Sequence, residues 1–134
     1  MITPMTSSDP LVDVLCKRLR RLDLIGWQRI TTWAEEAQLS FEELRLLLAF
    51  ALQEGPAAVS DLAELAGFSL DTAYPAIHGL RRRGYLTEER RQYSLTDEGR
   101  ELIAKLNEAH RAGIEAYVAT IDSEERERLT KAFV

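Results

Sequence analysis

Apolar residues recur at helical spacing along most of the chain, and the one region where they alternate instead lies directly after a pair of short helical stripes. Leu62, Ala63, Leu65 and Ala66 form the first stripe, and Gly67 follows where a helix needs a left-handed residue to end. Ser69 offers an N-cap oxygen, and Leu70, Ala73, Ile77 and Leu80 then recur at intervals of three or four until Gly84 closes the second helix. Ala63 and Gly67 suit a helix-turn-helix, because a small residue lets two helices approach and a glycine permits the turn. Residues 85–88 and 93–95 alternate apolar and polar around a polar 89–92, which predicts a short two-stranded hairpin, a wing.

The flanking segments are helical. Asp9 caps a helix with Pro10 in its first turn, and Leu11, Leu15, Leu19, Leu22, Ile30, Trp33 and Ala37 extend it to about Gln38, with Gly26 a possible kink. Residues 1–8 are expected to fray. Ser40 with Glu43 makes a capping box for a helix whose stretch 44–52 is apolar nearly all round, the expected central core. Thr96 caps another long helix, with Leu102, Ile103, Leu106, Ala109, Ala116, Tyr117 and Ile121 on its buried side. Asp122 or Ser123 starts a last short helix that packs through Leu129 and Phe133. The expected fold is therefore mainly α with a small β wing: one domain over 1–134, in which a lobe over 41–96 is flanked by long helices over 9–38 and 97–134. Apolar stripes at both ends of a chain with one small core predict that these helices pair with a second copy, giving a homodimer.

Composition removes other classes. At 134 residues the chain is long enough for one real core. It has no apolar run of membrane-spanning length and no signal-peptide pattern at its start, so a soluble cytoplasmic protein with no membrane partner is expected. A single cysteine rules out an internal disulfide, and two histidines far apart, His78 and His110, make a metal site improbable. No acid–base or nucleophile constellation can be assembled, so neither an enzyme nor a cofactor is expected.

Charge points to a partner. The net charge is −5, but 69–100 holds six arginines against five acidic residues, a local +1 that leaves −6 for the rest. With Ala73, Ile77 and Leu80 turned inward, the second helix of the pair presents Asp71, Thr72, Pro75, His78, Gly79 and Arg82, flanked by Tyr74, Arg81 and Arg83, with Ser69 at its N-cap. Arg90 and Arg91 stand at the hairpin turn. These residues are the candidate contacts to double-stranded DNA: the helix for base edges, the turn for phosphates or the minor groove. The alternatives are that these arginines form only a solvated face, or that an acidic winged helix binds another protein and does not touch DNA. Tyr74 and Tyr93 suit either phosphate contact or packing under the wing.

In its order of elements the chain resembles the multiple-antibiotic-resistance regulator (MarR) family of winged-helix transcription factors. The likeness rests on the long first helix, the helix-turn-helix, the wing, the run Leu95-Thr96-Asp97-Glu98-Gly99-Arg100 that opens a long helix, and the closing Ser-Glu-Glu-Arg-Glu-Arg-Leu helix. The resemblance implies a homodimeric regulator, commonly a repressor, that reads a palindromic promoter site and is often released by a small aromatic or amphipathic ligand. Two features differ from that family. Tyr74-Pro75-Ala76-Ile77-His78 is similar to the Tyr-Pro-Ala-Leu-His stretch of the related PadR repressors, and Pro75 predicts a loose or kinked first turn. The wing is also short and lacks an Asp-x-Arg tip. Trp27, Trp33 and His110 are candidates for lining a ligand pocket. Cys16, beside Lys17 and one turn from Arg20, stands where some organic-peroxide sensors of the family carry a reactive cysteine, so thiol sensing is a second alternative. Val12, Leu15 and Leu19 around it predict instead a buried, inert thiol.

Overall fold

A computed structural model describes residues 9–134; the fraying expected over 1–8 lies outside them. The elements run α1 (Pro10–Glu36), α2 (Phe41–Leu52), α3 (Val59–Ala66), α4 (Leu70–Arg82), β1 (Leu86–Glu89), β2 (Gln92–Leu95), α5 (Asp97–Val118) and α6 (Ser123–Phe133). This is the mainly helical fold with a small β wing that the patterning predicts. The chain divides into two compact units, one of Thr32–Glu108 and one that joins the described residues up to Thr31 with Ala109–Val134. The divisions fall inside α1 and α5.

Helix boundaries follow the capping chemistry. The Asp9 carboxylate accepts from Leu11 N at 2.9 Å at the head of α1. In α2 the capping box is complete, with Glu43 N donating to Ser40 Oγ at 3.1 Å and Ser40 N donating to Glu43 Oε1 at 2.9 Å. Gly67 ends α3 in the left-handed region at φ 78°, and Ser69 Oγ caps α4 by accepting from Thr72 N at 3.3 Å. Asp122 caps α6 by accepting from Glu125 N at 2.8 Å.

In the unit of Thr32–Glu108, Leu46, Leu47, Leu62, Ile77, Leu80 and Leu106 are fully buried. They come from α2, α3, α4 and α5, so the helix-turn-helix is built on α2 as its central support. β1 pairs antiparallel with β2 in the register Leu86 with Leu95 through Glu89 with Gln92, leaving only Arg90 and Arg91 in the turn. Ala57 adds a single bridge to Tyr93, with backbone bonds of 2.8 and 2.9 Å in both directions. Thr96 anchors the far end of the wing: its N donates to Tyr85 O at 3.0 Å, and its Oγ1 caps α5 by accepting from Gly99 N at 3.0 Å.

In the other unit, α1 and α5 cross where two glycines meet. A methyl on Gly113 would stand 2.3 Å from the Gly26 carbonyl oxygen, so both positions are small because the backbones touch there. Gly26 thus serves a helix contact, and α1 is continuous through it.

Several expectations are corrected by packing. α1 ends at Glu36, with Gln38 just beyond it at φ 57°. Leu65 and Leu70, placed on the inner stripes by spacing, are about half exposed, and Leu52, at 79% exposure, ends α2 outside the core. Leu102 and Leu106 are buried as expected, whereas Ile103, Ala109, Ala116, Tyr117 and Ile121 are only half-buried. α6 buries nothing fully, and Phe133 is 83% exposed. Helical α4 is continuous across Pro75. Cys16 is exposed, as are Val12, Leu15 and Leu19 around it.

Candidate nucleic-acid interface

The exposed face of α4 is set by which of its residues the core takes. Ala73, Ala76, Ile77 and Leu80 are buried, so Asp71, Thr72, Tyr74, Pro75, His78 and Arg82 lie outward, with Ser69 exposed at the N-cap. Tyr74 and His78, one turn apart, hold their rings tilted at a centroid distance of 6.0 Å. Pro75 cannot donate to the Asp71 carbonyl, which leaves a backbone acceptor without its helical partner in the first turns of this face. Arg82 has no hydrogen bond or ion pair among the described residues. It lines a hollow of about 400 Å³ with Ser40, Glu42, Glu43, Thr72, Pro75 and Gly79. Glu43 closes in here as well as capping α2: its Oε2 is 3.0 Å from where a methyl on Gly79 would stand.

The three consecutive arginines at the end of α4 are used differently. Arg81 forms an ion pair of 2.8 Å with Glu88 on β1, which ties the helix to the wing. Arg83 turns away and caps the tail of α1, donating from Nη1 to Gln38 O at 2.8 Å and from Nη2 to Ala37 O at 2.6 Å, with its guanidinium 5.2 Å above the Tyr85 ring. Arg82 alone of the three keeps its donors available. Arg45 repeats the capping device at the end of α3, with Nε and Nη2 donating to Ala66 O at 3.2 and 2.8 Å. No signal in the local sequence marks these capping roles, because the partners lie 21 to 46 residues away.

The wing tip carries Arg90 and Arg91 exposed and without partners among the described residues. Both have positive φ, 53° and 64°, as the two central residues of a type I′ turn require. Asn-Gly is the sequence that this turn favours, and a long side chain in the left-handed region costs about 1–2 kcal/mol per residue. Tyr93 lies at the other extreme, 4% exposed. Burial, and then the Glu88 carboxylate facing it across the hairpin, push its phenol above the usual tyrosine range. Its part is packing under the wing, and of the two tyrosines Tyr74 is the one left at the surface.

Elsewhere, Trp27 and Trp33 are half-buried and His110 is exposed. Trp27 and His110 belong to the terminal unit and Trp33 to the central one, so within neither unit do the three come together. Among the described residues no cluster of His, Cys, Asp or Glu is arranged to hold a metal. No described helix is long and apolar enough to cross a membrane. Charge divides unevenly: Thr32–Glu108 holds eight basic against fourteen acidic side chains, a net −6, and the rest of the chain is +1. The unit that carries the exposed α4 face is therefore the acidic one, and its cations without a partner among the described residues are Arg82 on that face, Arg90 and Arg91 at the wing tip, and Lys105 on α5.

This architecture is a winged helix-turn-helix of the kind found in MarR-type regulators. One solved structure like it is a MarR family protein from Bacillus stearothermophilus, 17% identical, with a TM-score of 0.73 over 96% of this chain and 94% of that one. The protein RV1404 from Mycobacterium tuberculosis is 24% identical, with a TM-score of 0.72 over 96% of this chain and 90% of that one. A MarR transcriptional regulator from Methanosarcina mazei Go1 is 19% identical, with a TM-score of 0.69 over 91% of each chain. Residues 37–109, more than half of the chain, match the family model described as "Methanogenesis regulatory protein FilR1, N-terminal domain", and the chain belongs to that family. No curated protein matches the sequence.

Proposed function

We propose that the protein is a DNA-binding transcriptional regulator that acts in the cytoplasm as a homodimer, with α4 as the reading helix and the wing tip as a phosphate clamp. The observation that carries this reading is the pairing of an outward α4 face, from Ser69 to the unpaired Arg82, with two unpaired arginines held on a strained turn. Left-handed arginines persist where function selects them over the Asn-Gly that folding prefers. Regulator families of this architecture support the same reading, as does membership in a regulatory-protein family. Arg81 and Arg83 act indirectly, setting the wing and the end of α1 against α4. The PadR-like Tyr-Pro-Ala-Ile-His stretch lies on the reading face. Repression, and release by a small amphipathic ligand, rest on the family resemblance.

An outward arginine such as Arg82 can bond guanine O6 and N7 together, a contact worth about 1–3 kcal/mol of discrimination. Arg82→Ala should relax sequence preference while leaving the salt dependence nearly unchanged. Fluorescence anisotropy on the protein's own upstream DNA and on scrambled duplex measures both. Equal, weak binding of wild type to the two duplexes would instead favour a protein-interaction module.

The homodimer follows from α1, where Leu11, Val12, Leu15 and Leu19 are 41–62% exposed in the single chain. So much apolar surface in one stripe calls for a partner, and a second copy is always present. Leu15→Glu/Leu19→Glu should convert dimer to monomer in sedimentation and weaken operator binding. An unchanged sedimentation coefficient would place the interface elsewhere.

A further inference from the structure

The terminal unit contains a cleft that the DNA-binding reading does not use. It has a volume of about 290 Å³ and lies between α1 and the segment that joins α5 to α6, with Lys17, Arg18, Arg21, Tyr117, Ile121 and Glu125 in its lining. Arg18 is ion-paired with Glu125, and its Nη1 donates to Tyr117 Oη at 3.4 Å. Lys17 and Arg21 have no partner among the described residues. Three cations against one carboxylate leave the cleft at +2, in a protein whose net charge is −5.

We infer that this cleft binds a small phosphate monoester. A monoester carries about −1.5 to −2 at neutral pH, which matches the cleft's excess charge, and its three oxygens suit the guanidinium fork of Arg21 with the point charge of Lys17. Arg18, already oriented by Glu125 and Tyr117, offers a further donor without a new ordering cost. The Tyr117 ring and Ile121 give the ester's organic arm an apolar wall, and the volume is at the small end of ligand pockets, about 300–1,000 Å³. Positions 14, 17 and 21 lie on the side of α1 away from Val12, Leu15 and Leu19, so Lys17 and Arg21 are clear of that stripe in the proposed dimer, while Arg18, seven residues on from Leu11, stands at its edge. The inference does not depend on DNA binding.

Isothermal titration of the full chain with phenyl phosphate, inorganic phosphate and benzyl alcohol tests it. Phenyl phosphate should bind saturably and more tightly than inorganic phosphate, and benzyl alcohol should not bind. Lys17→Gln/Arg21→Gln should weaken phenyl phosphate by about tenfold or more with an unchanged thermal melt, and Glu125→Gln, which removes the competing carboxylate, should tighten it. Absence of saturable binding, or a double variant that binds like wild type, overturns the assignment. Equal affinity for inorganic phosphate overturns the monoester in favour of a bare anion site. Displacement of phenyl phosphate by short duplex DNA would reassign the cations to a nucleic-acid backbone.

Discussion

Gly99→Ala is expected to lower the stability of the unit that carries the reading helix by about 3 kcal/mol or more, at the upper end of what overpacking usually costs. The added methyl would stand 2.1 Å from the Tyr85 carbonyl oxygen and 3.1 Å from Leu95 Cδ2. Backbone cannot yield as a flexible side chain does. The Tyr85 carbonyl also accepts from Thr96 N at 3.0 Å, so relieving the clash breaks the bond that closes the base of the wing. Thr96 is in turn the cap of α5, accepting from the amide of Gly99 itself. One methyl therefore disturbs the cap, the wing and the start of α5 together. A thermal melt followed by circular dichroism should show a fall of about 10 °C or more for a chain of this size. A melt within about 2 °C of wild type would mean that the close approach is absent in solution.

Arg90→Asn/Arg91→Gly is expected to move stability and DNA binding in opposite directions. Asn-Gly relieves the left-handed strain, fully at the glycine and in part at the asparagine, so the variant should gain about 1–2 kcal/mol. It also removes two cations that have no partner among the described residues. If they neutralise phosphates, the slope of log K against log[salt] should flatten by about 1–2 units, with operator and scrambled DNA weakened alike. Chemical denaturation and anisotropy at several salt concentrations read the two effects. A variant no more stable than wild type would remove the strain argument, and an unchanged salt slope would remove the wing from the phosphate contacts. Loss of specificity here, with Arg82→Ala still selective, would reverse the assignment of the two elements.

The acidity of the same unit gives these cations their meaning. Glu42 and Glu43 flank Arg82 in its hollow, and the unit as a whole is at −6. On the proposed reading, such a surface would repel DNA except where these few arginines meet it, which favours chosen sites over non-specific coating.

What the sequence by itself determined was the caps and turns that close within three or four residues. Ser40 with Glu43, Ser69 before its helix, Gly67 after one and Thr96 ahead of α5 specify their boundaries because each cap is satisfied within a single turn. The hairpin was legible for the same reason, from alternation on either side of a short polar turn, and the outward face of α4 followed from its apolar spacing. The tertiary structure alone decided which arginines were left for a partner. Spacing sets Arg82 on the outward face with Arg81 and Arg83 at its flanks, but only the chain's path brings Glu88 to Arg81 and the carbonyls of Ala37 and Gln38 to Arg83. It likewise buried Tyr93 by setting Ala57 beside it, and it required Gly99 and Gly113 to be small by bringing distant backbones into contact. These outcomes depend on where separate elements come to rest against each other, and no local periodicity encodes that position.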